Sequence, residues 1–199
     1  MRRPLRIIGI DPGSIRCGYG VIGWQDGRIW IVEQGVIATE QAEGLSAKLS
    51  LIFEQLQSIL HKTKPDEAAV ESSFYARNAQ ALVKLAQARG VVLLSLGLAR
   101  IPVIEYTPSE VKQAITGRGN AAKGQVHYMV YRLLSDEDTG QKVEQSRFYD
   151  VSDALAVALC HVFRRYRVDS QRPRTWREFI EQFPDRVLTP LEVGAGRRS

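Results

Sequence analysis

Cysteine is scarce: Cys17 and Cys160 are the only two in 199 residues. Two isolated cysteines give neither a disulfide framework nor the paired spacing of a zinc site, so a reduced, cytoplasmic protein is expected. No secretory pattern opens the chain, since Met1-Arg2-Arg3-Pro4 leads straight into a short strand pattern. Long apolar runs are missing too. Ala79 to Leu98 comes nearest to a membrane span, but Lys84, Gln87 and Arg89 interrupt it. Acidic residues are absent from two stretches. Ser72 to Ile104 has none and carries Arg77, Lys84, Arg89 and Arg100. Val111 to Arg132 has none and carries Lys112, Arg118, Lys123 and Arg132. Solvated surfaces usually mix both signs, so these stretches fit phosphate contact as well as they fit a chance run on a basic chain. The net charge of +5 and pI near 9.4 are a modest excess in the same direction.

The length suits one domain with a real core and a short appendage. Leu5–Asp11, Gly18–Trp24 and Arg28–Ala38 read as three strands separated by glycines and a Gln25-Asp26-Gly27 turn, a meander of hairpins. Leu45–Lys62 has helical period, and Pro65 ends it. Glu67–Glu71 reads as a short buried strand, Asn78–Leu98 as a long apolar helix and Val103–Tyr106 as a strand. Pro108–Thr116, Lys123–Leu134 and Asp150–Arg165 read as helices. Three strands followed by helices alternating with short strands predict an α/β domain with a mixed sheet. Residues 1–166 form that domain in this reading, and 167–199 a C-terminal extension. Within the extension, Thr175-Trp176-Arg177-Glu178 matches a capping box. Trp176, Phe179, Ile180 and Phe183 then give one apolar helical face.

Four acids carry the chemistry. Asp11 closes the apolar run Leu5–Ile10, Glu71 closes Ala68-Ala69-Val70, and Asp150 and Asp153 open Ala154–Leu159. Each has a bland reading. Asp11-Pro12-Gly13 is an ordinary turn, Glu71 a strand-end charge, and the Asp150/Asp153 pair a complement to a helix N-terminus. Jointly they point elsewhere. If the three elements meet, four carboxylates share one small volume and repel unless hard divalent cations join them. Two ions about 3.5–4 Å apart can activate water and stabilise the leaving oxygen of a phosphodiester. With the basic stretches, this predicts a metal-dependent enzyme that cuts nucleic acid. Magnesium takes carboxylate and water ligands, so His127 and His161 are not needed.

Three blocks of the sequence resemble a known family in order. Ile8-Gly9-Ile10-Asp11-Pro12-Gly13-Ser14 with Gly18-Tyr19-Gly20-Val21 is similar to the opening of the RuvC family of bacterial Holliday-junction resolvases. Glu71-Ser72-Ser73-Phe74-Tyr75-Ala76-Arg77-Asn78 with Lys84–Gly90 resembles its second acidic block, and Asp150–Ala156 its last. The resemblance runs from about residue 5 to 165. It implies an RNase H-like fold with a mixed five-stranded sheet flanked by helices. It implies a homodimer that resolves four-way junction DNA with two Mg2+ ions per site, Mn2+ being the alternative, and RuvA and RuvB as partners. By resemblance Asp11, Glu71, Asp150 and Asp153 are the catalytic and metal-holding acids, and Phe74 stacks on a base at the junction.

Arg77, Lys84, Lys112, Arg118 and Lys123 are the expected DNA contacts, each with a solvated basic face as its alternative. The Val91–Leu98 half of the long helix is core or dimer contact. Two other functions fit some of these features: a catalytically silent junction-binding scaffold, and a generic RNase H. Cys17 stands where the resemblance leads one to expect Thr, and Val168–Ser199 falls outside it.

Overall fold

Asp26 and Gly27 both adopt positive φ, 50° and 79°, as a two-residue hairpin turn requires. The turn joins β2 (Arg16–Gln25) to β3 (Arg28–Ala38), and β2 also pairs antiparallel with β1 (Leu5–Asp11). This computed structural model describes residues 3–72, 78–135 and 149–166. The extension, with its capping box and aromatic face, therefore lies outside the described residues, as do Phe74, Tyr75 and Arg77.

After the meander come α1 (Gly44–Thr63), β4 (Glu67–Glu71), α2 (Ala79–Leu98) and β5 (Val103–Tyr106). Then follow α3 (Pro108–Thr116), α4 (Lys123–Leu134) and α5 (Tyr149–Arg165). β4 runs parallel to β1, and β5 parallel to β4, giving the order β3-β2-β1-β4-β5. The expected mixed five-stranded sheet is present.

Alternation along the strands sorts the core into two faces. Ile7, Ile22 and Ala69 pack with the apolar residues of α3, α4 and α5. Ile8, Ile10, Val21, Ile37 and Val70 pack with Ile52 and Leu56 of α1 and with Ala88, Val92 and Leu96 of α2. α3 starts where its sequence dictates. Pro108 follows Thr107, whose hydroxyl takes the Glu110 N–H while the Glu110 carboxylate takes the Thr107 N–H.

α5 is the apolar spine of the first face. Near its C-terminal end His161, 1% exposed, sits 2.6 Å through Nε2 from Glu67 of β4 and 3.1 Å through Nδ1 from the Tyr106 hydroxyl of β5. With the tyrosine donating, Nδ1 accepts and Nε2–H donates to the carboxylate. One side chain thus ties α5 to two strands.

By length and composition α2 could cross a membrane, which the sequence reading did not expect. Its apolar content is spread over two faces. Ala88, Val92 and Leu96 are buried, while Leu82, Val83, Leu94 and Leu98 are exposed.

Candidate active site

The sheet and one close helix contact assemble the four acids. Ile10 pairs with Val70 at the end of the parallel β1–β4 ladder, and Asp11 and Glu71 are the next residue on each strand. Counting by twos from Ile7 and Ala69 places both carboxylates on the α5 face. α5 reaches this face because the strands beneath it carry glycine. A Cβ on Gly9 would lie 2.1 Å from the Ala154 carbonyl oxygen, and one on Gly18 would lie 2.1 Å from that of Asp150. No side chain larger than hydrogen fits, so the helix backbone lies on the sheet backbone. Asp150 and Asp153, in the first two turns, are thereby brought over the strand ends.

Electrostatics show the convergence. Burial is the main cause that pushes the Asp11 carboxyl well above its ordinary value; repulsion from Glu71, Asp153 and Asp150 adds to it, and Lys123 opposes it. Glu71 is pushed up to about 7 by burial and by Asp153, with Lys123 and Lys112 pulling the other way. Asp153 is raised by burial and by Asp150 against the pull of Lys123.

Two basic residues hold the helix-borne acids. Arg16 donates from Nε to Asp150 at 2.9 Å. Lys123 Nζ lies 2.6 Å from Asp153 and 5.3 Å from the centre of the Tyr149 ring. Burial alone would lower the Lys123 ammonium, but Asp153, Asp11 and Asp150 raise it overall. It is a fixed positive charge inside the acidic cluster. His127 buttresses the same end of α5, with Nδ1 2.9 Å from the Ser152 hydroxyl and its ring 5.1 Å from that of Tyr149.

Among the described residues, no three acid, histidine or cysteine side chains stand ready-made around a metal position. Asp150 and Asp153 are engaged by Arg16 and Lys123 instead. The donor set nevertheless fits hard divalent cations. It is all carboxylate, and burial together with mutual repulsion raises Asp11, Glu71 and Asp153, a cost that a cation relieves.

These blocks match known proteins. The family model for crossover junction endodeoxyribonuclease RuvC matches residues 7–161. The chain belongs to the RuvC family. It is 41% identical to a crossover junction endodeoxyribonuclease RuvC of Pelobacter propionicus, over 88% of this chain and 99% of that one. Its identity to the corresponding protein of Syntrophomonas wolfei is 42%, over 83% and 92% of the two chains. Thermus thermophilus RuvC, solved in complex with a Holliday junction substrate, superposes with a TM-score of 0.72. That match has 33% identity over 80% of this chain and 94% of the other. The fold is thus the RNase H-like fold of RuvC resolvases, and the chain is a crossover junction endodeoxyribonuclease, a hydrolase of phosphodiester bonds.

The other expected DNA contacts fall in different places. Lys123 is on the carboxylates rather than on a separate basic track, and Lys112 on α3 is near enough to act on Glu71. Arg118 borders a pocket of about 350 Å³ with Gln125, Tyr128 and Met129. Lys84 is exposed on α2, away from α3 and α4. Sequence reasoning missed Arg16, which carries no motif of its own. It also missed the glycine seam. Gly9 in β1, set against Ala154 and Ala158 in the helix, was a readable small-residue pairing, whereas Gly18 and Gly20 in β2 face Asp150 and Leu155.

Proposed function

We propose that Asp11, Glu71, Asp150 and Asp153 hold two divalent cations, Mg2+ or in its place Mn2+, and that this site cuts four-way junction DNA in a homodimer. The observation that carries the reading is the glycine-set placement of the α5 acids over the paired ends of β1 and β4. When bound, the cations would activate a water and stabilise the departing 3′ oxygen. The chain's own residues prepare the rest. Asp11 and Glu71 are fixed by strand pairing, and Arg16 holds Asp150. Lys123 supplies positive charge where the scissile phosphate must come, and Lys112 adds to it. Phe74 and Arg77 come three and six residues after Glu71 in sequence, which supports their contact with DNA near the cut. Arg118 and Lys84 are phosphate contacts further out.

The dimer reading rests on α2. At 100° per residue, Val83, Gly90, Leu94 and Gly97 fall within about 60° of one another, opposite the buried Val92. Leu94 is 57% exposed, and among the described residues nothing lies within 4 Å of a Cβ built on Gly90 or Gly97. A flat apolar stripe of this kind suits a second copy of the helix. RuvA and RuvB as further partners rest on the family alone.

The test is cleavage of a synthetic four-way junction beside an RNA–DNA hybrid and a plain duplex, with Mg2+ and with EDTA. Symmetric nicks in the junction alone, lost in EDTA, are expected. Equal cutting of the hybrid, or uncut junction, would refute the reading.

A further inference from the structure

A cleft between the N-terminal ends of α1 and α2 lies outside the carboxylate site, and Lys84 is the one residue of its lining given a role above. It has a volume of about 440 Å³, and its lining includes Ser14, Ile15, Gly44, Lys48, Gln80 and Lys84. Among the described residues, no Asp or Glu lines it. Among the described residues, neither lysine forms an ion pair, whereas Lys62 and Lys123 both do. Two like charges facing one unpaired hollow repel each other, and an anion between them removes that cost.

The surrounding backbone has the same polarity. α1 begins at Gly44, its preceding residue Glu43 makes no side-chain capping bond, and Glu43 does not line the cleft. The first N–H groups of α1 are therefore open to a ligand. Gly44 has φ of 79° and open space where a Cβ would be. Ile15, 54% exposed, adds an apolar wall beside these donors.

The cleft is rigidly joined to the carboxylates. Ser14 is three residues beyond Asp11, so their Cα atoms are at most about 11 Å apart. The Thr39 hydroxyl donates to the Ser14 carbonyl at 2.8 Å, and the Thr39 N–H to that of Ile15 at 2.9 Å. Arg16, next in the chain, holds Asp150.

We propose that this cleft is a phosphate subsite for the junction DNA. It takes a backbone phosphate between Lys48 and Lys84, with Ser14 and Gln80 as further donors and Ile15 against the deoxyribose. With Ser14 on one wall of the cleft and a strand advancing about 3.4 Å per nucleotide along the helix axis, the phosphate is expected a few nucleotides from the scissile one. The subsite would set which phosphodiester reaches the acids by gripping the same strand a fixed distance away. It rests on the nuclease reading given above.

The test is a set of four-way junctions, each carrying one neutral methylphosphonate at a successive position beside the cut, with binding measured in EDTA. For the wild type, one or two positions a few nucleotides from the cut should bind several-fold more weakly. For Lys48→Ala or Lys84→Ala, with unchanged melting temperature, those same positions should show no further loss, and the salt slope should fall by about 1. Lys48→Arg should restore the sensitivity. If the wild type shows no sensitive position there, or if the losses simply add in the variants, the subsite is refuted. Cutting of the unmodified junction by the wild type separately checks the nuclease reading, so the two can fail independently.

Discussion

Lys123, the first residue of α4, bonds Asp153 of α5 at 2.6 Å, placing an ammonium group among four acids. It balances charge in the metal-free protein, and its charge remains available when a phosphate arrives. Lys123→Ala should therefore lower kcat for junction cleavage by about 10²-fold, in the range for loss of one preorganised electrostatic group. Junction affinity should fall much less. Single-turnover kinetics and a gel shift on the same variant check this, and an equal fall in both would make Lys123 a simple binding residue.

Asp11→Asn should abolish cleavage and leave junction binding intact or tighter. It removes a carboxylate from the strand-end pair and also one negative charge that the DNA must approach. Loss of binding, with an unchanged circular dichroism spectrum, would count against its assigned role.

The crowded acids give a pH dependence of definite sign. Glu71 titrates near 7 in the folded protein against 4.5 ordinarily, and Asp11 is raised as well. Between those values the folded state keeps protons that the unfolded chain has released. Its stability from these groups is full below about pH 4.5 and declines as pH rises toward 7. The metal-free melting temperature should fall over that window, and Glu71→Gln should flatten the fall. Mg2+ should raise the melting temperature more at about pH 8 than at about pH 5, because it binds the deprotonated site. An identical Mg2+ effect at both would show that the acids do not act together.

Much of this could be read from the sequence, for local reasons. β3, β4, β5, α3 and α4 have the bounds that the apolar runs and their flanking turn residues predict. β2 instead starts at Arg16, two residues early, because pairing with Ala38 extends the ladder past Gly18. The four acids were legible because each closes or opens an apolar run. The Lys123–Asp153 and Arg16–Asp150 pairs were not, since nothing local links residues 30 and 134 apart. Lys123 looked like any other lysine in an acid-free stretch until the fold placed it.

The glycine seam makes a sharp contrast of two small substitutions. Gly9→Ala drives a methyl into the Ala154 carbonyl and should cost at least about 1–3 kcal/mol, with loss of cleavage as α5 lifts. Gly124→Ala in α4 meets no described residue within 4 Å and should gain about 0.5–1 kcal/mol. Urea denaturation measures both, and a tolerated Gly9→Ala would mean that the helix is not seated by backbone contact.

Leu94→Glu should yield a folded monomer in sedimentation velocity. Leu94 is largely exposed in the single chain, so the charge harms only an interface. A dimer that persists would place the contact elsewhere.

The His161 tie acts at the other end of the helix that carries Asp150 and Asp153. With a backbone seat at its start and a three-way hydrogen-bonded clamp near its finish, α5 cannot slide along its own axis without breaking one or the other. It works as a ruler fixed at both ends, and the distance it measures is the one between the helix acids and the strand acids. Its amides should then be among the last in the protein to exchange with heavy water, opening only with the whole domain.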